Sequence, residues 1–311
     1  MKYIGKKLIA LAITLLAISF VTFFAFTIIP GDAATSIMGM DASEEQLDAL
    51  REELGLNDPL IVRYGRWVKG ALMLDFGTSL QYKTDVAKLI GGRLTATLGL
   101  ALEAILIILI LSVPLGIISS KKPNGAVDNI ITVLTQFGMA VPQFFLGIML
   151  TYVFGILLRI VNMGGYVNPA ESFDGFLRFL ILPAITVAIP KLSMMTKYLR
   201  DCIVAQKKQD YVRTARAKGN SEGRILTHHV LKNAIIPSIT FFAMIVADVL
   251  AGSIVCEQVF AIPGVGRLLT ASISNRDFPV VSAIVLYVAV VVVVMNTLAD
   301  VFYRVVDPRV K

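Results

Sequence analysis

Residues 210–237 read DYVRTARAKGNSEGRILTHHVLKNAIIP, and this basic, polar stretch decides how the rest of the chain is interpreted. It lies between two apolar runs in a chain that is 56% apolar and only 16% charged. A soluble domain carries about 25% charged residues, so the deficit indicates an integral membrane protein. The stretch is too long and too charged to be a simple connector, and we expect it to dock on another protein at the membrane face.

The pattern within this stretch predicts two short helices joined by a glycine. Asp210 is expected to cap a helix over Tyr211–Lys218, and Gly219 to end it, because glycine tolerates the left-handed conformation of a helix terminus. Ser221 is expected to start a second helix, Glu222–Leu231. Such a pair would form a rigid elbow that transmits force. The alternative is a basic amphipathic hairpin lying on anionic lipid.

Six apolar runs predict an all-α, polytopic membrane protein. The first, Leu8–Ile29, has 22 residues without a charge, enough to cross a hydrocarbon core of about 30 Å. Asn233 and Pro237 are expected to mark the entry to the fifth run. The other five runs are Thr95–Ile118, Asn129–Leu158, Leu177–Lys197, Ala234–Cys256 and Val281–Tyr303.

Lys and Arg residues predict the orientation of these spans. They are concentrated in one set of segments: 1–7, 119–128, 197–233 and 304–311. They are sparser in the other set: 30–94, 159–176 and 257–280. Because cytoplasmic loops carry the basic excess, both termini are expected inside the cell, and the net charge of +7 does not indicate nucleic-acid binding. We treat 1–311 as one transmembrane domain with an extracytoplasmic segment at 30–94 and a cytoplasmic docking loop at 197–233.

The segment 30–94 is expected to contain short helices that rest on the outer ends of the spans. Ser43 followed by Gln46 is a capping box, a row of leucines follows at helical spacing, and Gly55 is placed to stop the helix. A second short amphipathic helix is expected to begin at Asp85. These helices are expected either to cap the bundle or to contact a partner.

Prolines and ionisable residues within the apolar runs are the candidates for a solute pathway. Pro142 and Pro190 are expected to bend the third and fourth spans, because proline removes a backbone donor. Glu103 and Asp248 are costly charges in lipid, so they are expected either to line a pathway or to pair between helices. Lys191 is expected to extend its amine toward the membrane edge.

The chain carries no recognisable site for ATP or for hydrolysis. Its Gly5-Lys6 pair lacks the upstream glycine and the following Ser or Thr of a phosphate-binding loop, and the common hydrolase motifs are missing. If the protein pumps, the ATPase is a different polypeptide. A secondary transporter or channel that needs no ATPase is the alternative, although the chain shows no convincing internal repeat.

The cysteines and histidines predict neither a disulfide nor a metal site. Cys202 and Cys256 are expected on opposite membrane faces and therefore cannot pair. The adjacent His228 and His229 point about 100° apart on a helix, so they do not form a metal site by themselves.

The docking loop resembles the cytoplasmic signature of the inner-membrane permeases of binding-protein-dependent ABC importers. That signature reads Glu-Ala-Ala, three residues, Gly. Here the slots hold Arg213-Thr214-Ala215, then Arg216-Ala217-Lys218, then Gly219. The Arg in the first slot and the late proline, Pro237, depart from the general pattern and resemble the dipeptide, oligopeptide and nickel branch.

The resemblance covers nearly the whole chain, and the order and spacing of its motifs make it specific. The motifs are Pro30-Gly31-Asp32, Leu54-Gly55-Leu56-Asn57-Asp58-Pro59-Leu60, Tyr64-Gly65-Arg66-Trp67, Asp75-Phe76-Gly77-Thr78-Ser79, Glu257-Gln258-Val259-Phe260, Pro263-Gly264-Val265-Gly266, Arg276-Asp277-Phe278-Pro279-Val280 and Asp307-Pro308-Arg309. The fold implied is that of a type I importer permease with six spans and both termini in the cytoplasm.

The resemblance also implies partners and a location. It implies a heterodimer with a second, homologous permease in the bacterial cytoplasmic membrane, two cytoplasmic ATPases that bind ATP and Mg²⁺, and an extracytoplasmic solute-binding protein. The chain itself would bind no cofactor and would not be an enzyme. Short peptides are the first expectation for the solute, and nickel or a metal–ligand complex is the second. The ATPase-docking residues implied are Asp210, Tyr211, Arg213, Thr214, Ala215, Arg216, Lys218, Gly219 and Pro237.

Overall fold

A computed structural model describes residues 2–28, 33–38, 42–53, 55–160 and 165–306. The elements formed by these residues are all helical, which confirms the all-α prediction. In chain order they are α1 (Lys2–Ile28), α2 (Ala33–Met38), α3 (Glu44–Glu53), α4 (Leu60–Leu72), α5 (Val86–Lys121), α6 (Ala126–Ala140), α7 (Gln143–Leu150), α8 (Phe173–Lys207), α9 (Asp210–Ala217), α10 (Glu222–Arg224), α11 (Leu231–Gly252), α12 (Ile254–Val259), α13 (Val265–Ser274) and α14 (Phe278–Val306). Two π-helical segments, Thr151–Leu157 and Ile225–Val230, extend α7 and join α10 to α11.

The chain divides into two compact units. The first unit is Met1–Thr97 with Pro263–Val293, and the second is Leu98–Ile262 with Val294–Lys311.

Several helices are long and apolar enough to cross a membrane. Among the described residues four helical runs qualify: Val86–Lys121, Phe173–Lys207, Glu222–Val259 and Phe278–Ala299. A fifth span is possible if α6 and Gln143–Leu157 count as one. The apolar part of α1 is shorter, Ile9–Ala25. A multi-pass membrane protein is therefore supported, and the count of six spans stays a prediction.

The third predicted span, Asn129–Leu158, is broken rather than gently bent. Its two helical parts meet at 102°. The break lies at Val141, which is extended, and Pro142, which precedes the first residue of α7. Proline lacks the N–H that would continue the helix, and it forces the preceding residue out of the helical region.

The short helix expected at Asp85 is instead the first part of a long one. The carboxylate of Asp85 accepts a hydrogen bond from the backbone N–H of Lys88 at 2.9 Å, so the predicted start is confirmed. No break follows, however, and α5 continues for 36 residues. Its first turns are apolar on one side and pack in the core of the first unit, which favours continuation over a separate helix.

The capping box that begins α3 is confirmed. The Ser43 N–H donates to the Gln46 side-chain oxygen at 3.1 Å, and the Gln46 N–H donates to Ser43 Oγ at 3.4 Å. Gly55 follows the helix with φ +63° and donates to the Glu52 carbonyl at 3.0 Å, as expected of a stop residue. Of the leucines between them, Leu47 is buried, and Leu54 lies outside the described residues.

A buried aspartate ties together two motif segments of the first unit that are far apart in the sequence. Asp277 is fully buried, and its carboxylate accepts hydrogen bonds from Ser79 Oγ at 2.5 Å, the Leu80 N–H at 3.1 Å and the Gln81 N–H at 3.3 Å. The charge is compensated by donors, as a buried carboxylate requires. The motifs 75–79 and 276–280 therefore meet, and both contribute to the same apolar core.

Helix α8 runs the length of the second unit, and other helices contact it near both of its ends. Near the C-terminal end of α8, Arg200 forms a bidentate ion pair with the buried Asp128 of α6, with N–O distances of 2.6 and 3.1 Å. The same carboxylate accepts from Ser119 Oγ at 2.5 Å and from the Asn124 N–H at 2.8 Å. The ends of α5, α6 and α8 are thus joined by one carboxylate.

Helix α12, which contains Cys256, contacts the N-terminal half of α8. Cys256 donates from its thiol to the Pro183 carbonyl at 3.4 Å. Pro183 and Cys202 are 19 residues apart on α8, or about 28 Å at the helical rise of about 1.5 Å per residue. Cys202 and Cys256 therefore lie at opposite ends of the second unit and do not pair.

We expect Asp277→Ala to lower the stability of the purified chain by about 2 kcal/mol, because it leaves the buried Ser79 hydroxyl and two backbone donors without their acceptor. Thermal unfolding in detergent measures the effect. Asp174→Ala is the matched control, since Asp174 forms only an exposed ion pair with Arg178. Equal unfolding temperatures for the two variants would contradict the assigned role of Asp277.

Candidate docking surface and pathway

The first helix of the docking loop forms as predicted, but its cap differs. Helix α9 begins at Asp210, and the residue that precedes it is Gln209, which makes no side-chain cap. Asp210 therefore lies in the first turn, where its negative charge is favourable to the helix dipole. Its exposed carboxylate is 3.5 Å from Arg213 Nη1, and its carbonyl accepts from Thr214 Oγ1 at 3.1 Å.

Gly219 ends α9 in the way the sequence indicates. Its φ is +76°, a conformation that side chains other than glycine, asparagine and aspartate rarely adopt. The Gly219 N–H donates to the Arg216 carbonyl at 3.0 Å, and the Asn220 N–H donates to the Ala215 carbonyl at 3.3 Å. A Cβ atom at Gly219 would meet nothing within 4 Å, so the requirement is conformational rather than steric.

The second helix of the loop does not stop at Leu231. Ser221 caps it by accepting from the Arg224 N–H at 3.4 Å, as predicted. The chain then passes through the π-helical segment Ile225–Val230 directly into α11. Pro237 consequently lies inside α11, half-buried, rather than at a helix entry. The elbow has one bend, at Gly219, and its second arm is continuous with a candidate span.

The inner face of the elbow is packed against the spans of the second unit. Val212 and Ala215 of α9 are buried together with residues of α8 and of the second arm, and Val113 and Ile117 of α5 cover the cluster. Ala215 was predicted at the ATPase contact, but it is only 6% exposed, so its side chain packs inward. The other buried members are Leu199, Ile203, Ile225, Leu226, Val230 and Ala234.

The outer face of the elbow is charged and exposed. Arg213 and Lys218 are exposed, and Arg216 Nε donates to the Glu222 carboxylate at 2.6 Å across the Gly219 turn. That hydrogen bond raises the pKa of the Arg216 guanidinium, which stays charged. Tyr211 is half-buried and donates to Gln206 Oε1 at 2.9 Å.

The base of the elbow is tied to the neighbouring helix end. Lys207 Nζ donates to the carbonyls of Ser120 and Lys121 at 2.6 and 3.2 Å. These carbonyls belong to the last turn of α5, where a cation is favourable to the helix dipole. The elbow, α5 and α8 are therefore joined by both apolar and polar contacts.

The candidate pathway residue Asp248 pairs between helices, which is one of the two roles expected of it, and the sequence did not identify its partner. Its carboxylate accepts a hydrogen bond from Lys191 Nζ, which joins α11 to α8. Tyr198 and Phe241 stack seven residues away on each helix, with ring centroids 4.2 Å apart. The side chain of Asp248 is 56% exposed, so this pair lies on the surface of the second unit. The Lys191 amine was expected to extend toward the membrane edge, but it lies against the Asp248 carboxylate instead.

The remaining pathway candidates lie on different helices. Glu103 of α5 is half-buried, and its Oε1 atom is buried without a hydrogen-bond partner among the described residues. Pro190 lies inside α8, next to Lys191, and Pro142 lies at the broken third span. Among the described residues, Asp248 therefore has an ion-pair partner, Lys191, whereas Glu103 forms no ion pair.

Sequence reasoning missed the contacts of Asp128 with Arg200 and of Asp277 with Ser79, and it did not identify Lys191 as the partner of Asp248. The signal available was the presence of charges next to, or inside, apolar runs. Such a charge needs a partner, but the partner is identified only by the packing of the helices.

Comparisons with known proteins cover nearly the whole chain. Residues 112–311 match the family described as "Binding-protein-dependent transport system inner membrane component", and residues 1–101 match the corresponding N-terminal family. The oligopeptide transport system permease protein AppB of Bacillus subtilis is 38% identical over 312 residues, 99% of each chain. A probable peptide ABC transporter permease of Sinorhizobium fredii is 32% identical over 309 residues, 99% of each chain.

A putative peptide transport system permease of Brucella abortus is 36% identical over 306 residues, 98% of each chain. These matches confirm the resemblance indicated by the motifs. The chain belongs to the inner-membrane components of binding-protein-dependent transport systems, and it is a membrane transport subunit rather than an enzyme.

Proposed function

We propose that this chain is a permease subunit of an ATP-driven importer and forms half of a pathway for short peptides. A second, homologous permease would complete the pathway, a solute-binding protein would deliver the solute, and two separate ATPases would bind the 210–233 loop. Peptides are preferred to nickel complexes because the similar proteins are named for peptides or oligopeptides. The observation that carries the proposal is the packed elbow at the end of the second unit.

The elbow suits a mechanical connection to an ATPase. Its outer face offers Arg213, Arg216 and Lys218 to a partner, while its inner face is fixed to α5 and α8. Its second arm is continuous with α11. A force applied to the elbow would therefore tilt these helices together, since packed interiors transmit displacement instead of absorbing it. Closure of the two ATPases would in this way turn the pathway from one side of the membrane to the other.

The orientation proposed puts both termini and the elbow in the cytoplasm. The loops 119–128 and 197–233 share the basic excess, and in the second unit they meet through Asp128, Arg200 and Lys207. Cys256 contacts Pro183, which lies about 28 Å from Cys202 along α8, as a loop on the other membrane side requires. The positive-inside rule supplies the direction.

The pair formed by Lys191 and Asp248 is proposed to face the pathway. Both residues lie in candidate spans, and a charge that faces lipid is costly even when it is paired. Their exposure on the second unit therefore favours a polar interior or a partner permease over lipid. Pro190 next to Lys191, and Pro142 at the 102° break, allow the backbone of these spans to deform.

We expect Gly219→Asp to lower co-purification of the ATPase about tenfold while the chain stays inserted in the membrane. Aspartate adds a negative charge next to Arg213, Arg216 and Lys218, and this charge is the main cause of the expected loss, because aspartate tolerates φ +76° better than most residues. Gly77→Asp is the matched control, because Gly77 has φ +78° and equally open surroundings but lies outside the elbow. Normal recovery of the ATPase with Gly219→Asp would refute the docking role.

We expect Asp248→Asn and Glu103→Gln to reduce solute uptake more than assembly of the importer complex. Both changes keep the volume of the side chain. The first alters an exposed carboxylate, and the second alters a carboxyl group whose Oε1 atom has no hydrogen-bond partner. Uptake by the reconstituted importer is compared with recovery of the intact complex. Asp128→Asn is the contrasting variant, and it should reduce assembly, because it weakens a buried structural pair. Unchanged uptake in both pathway variants would exclude a pathway role.

A separate measurement tests whether the chain needs ATPase partners. Solute uptake by this chain alone in liposomes would favour the secondary transporter or channel over the importer subunit.

A further inference from the structure

Helix α4 is amphipathic, and only part of its apolar face is covered. At about 100° per residue, Tyr64 and Trp67 point to one side, and Ile61, Val68 and Leu72 point to the adjacent side. The remainder of the circumference holds the basic residues Arg63, Arg66 and Lys69 together with Val62, which is 47% exposed. No residue of α4 is fully buried, and Leu72 is 83% exposed.

The covered side of α4 lies against the apolar middle of α1. The Tyr64 hydroxyl is 2.8 Å from Ser19 Oγ and 3.3 Å from the Leu16 carbonyl. The rings of Tyr64 and Trp67 pack on Phe23, with centroids 5.5 and 6.1 Å apart. Phe20 meets the Tyr64 ring edge-on at 5.5 Å.

These contacts determine the depth of α4 relative to the span that α1 provides. The apolar part of α1 is Ile9–Ala25, and Leu16 is nine residues from its end, or about 13 Å. A helix that rested on the ends of the spans would not reach this position. Helix α4 must therefore lie beside the apolar part of α1, at a depth where acyl chains surround it.

The turn after α4 continues the uncovered apolar edge. Met73 and Leu74 are both about 70% exposed. Leu74 has φ +58°, a conformation that costs a leucine about 1–2 kcal/mol and a glycine nothing. The exposed Leu74 side chain would offset this backbone cost if it inserted into the acyl chains of the bilayer, because burial in an apolar medium is favourable.

The opposite edge of α4 is basic, as an interfacial helix requires. Arg66 pairs with Asp58 at 2.7 Å, and Arg63 donates to the Leu56 carbonyl at 3.3 Å, so two of the three cations also hold the preceding turn. Lys69 is exposed. Basic residues on one edge, aromatic residues beside them and aliphatic residues on the other edge are typical of a helix that lies parallel to the membrane at the boundary between headgroups and acyl chains.

We propose that α4 is a membrane-embedded interfacial helix, which lies in the leaflet at the C-terminal end of α1. Its Ile61 and Leu72 edge contacts acyl chains, and its Arg66 and Lys69 edge contacts headgroup phosphates. The bilayer, not a protein partner, covers the apolar edge. Lipid thereby becomes a structural contact of the first unit, separate from the elbow and from the solute pathway.

Trp67 is the only tryptophan of the chain, so its fluorescence reports on α4 without any substitution. The full chain is reconstituted in phosphatidylcholine and phosphatidylglycerol vesicles whose acyl chains carry bromine near the carbonyl or near mid-chain. The shallow bromine should reduce Trp67 emission about twofold or more, the deeper bromine less, and aqueous iodide little, as for a helix about 5–10 Å below the headgroups. Quenching by iodide but not by bromine, or by neither, overturns the proposal.

Moving the tryptophan tests which edge of α4 faces the acyl chains. In a Trp67→Phe background, Leu72→Trp should be quenched by bromine and protected from iodide. Lys69→Trp is the matched control on the basic edge, and it should be more sensitive to iodide than Leu72→Trp. The same iodide sensitivity at both positions would show that the apolar edge faces water, and it would overturn the assignment of lipid as its partner.

Discussion

The carboxylate of Asp128 holds together the end of the second unit from which the elbow emerges. It accepts hydrogen bonds from two nitrogens of Arg200, from Ser119 Oγ and from the Asn124 N–H, so all of its charge is compensated although it is nearly fully buried. Removing one partner of such a pair costs about 3–5 kcal/mol, because the other charge is left buried and alone. The elbow that we propose as a docking surface packs on Leu199 and Ile203 of α8, which lie on either side of Arg200 in the sequence.

Among the described residues, helix α8 forms two ion pairs with other helices, and their roles differ. The pair of Arg200 with Asp128 is buried and fixes helix ends, whereas the pair of Lys191 with Asp248 is exposed on the second unit and is available to whatever occupies the neighbouring space. The Tyr198–Phe241 stack lies two turns from Lys191 on the same α8–α11 seam. A movement of the elbow would therefore reach the exposed pair through a single packed helix.

Local features of the fold could be predicted from the sequence, because their causes are local. The Ser43 capping box and the left-handed Gly219 depend on residues within one helical turn, and both formed as expected. The family could be recognised because the motifs occur in order along the whole chain. The spacing of Val212 and Ala215 also contained a signal that they share an inward face.

Features that depend on tertiary packing could not be predicted. A proline at position 142 indicates a bend, but the angle of 102° also reflects where α7 packs, with Gly147 against Thr186 and Phe260. Likewise, nothing near Asp85 or Leu231 in the sequence shows whether the helix stops or continues, and in both places it continues into an apolar run. The partner of a buried charge is known only once the helices are assembled.

Cysteine accessibility tests the central claim, that the elbow is a cytoplasmic surface, most directly. In a Cys202→Ser background, Lys218→Cys places a thiol on the exposed face of the elbow, and Glu44→Cys places one in the predicted extracytoplasmic segment. A membrane-impermeant maleimide should label Glu44→Cys in intact cells and Lys218→Cys only after permeabilisation. Labelling of Lys218→Cys in intact cells would contradict the account.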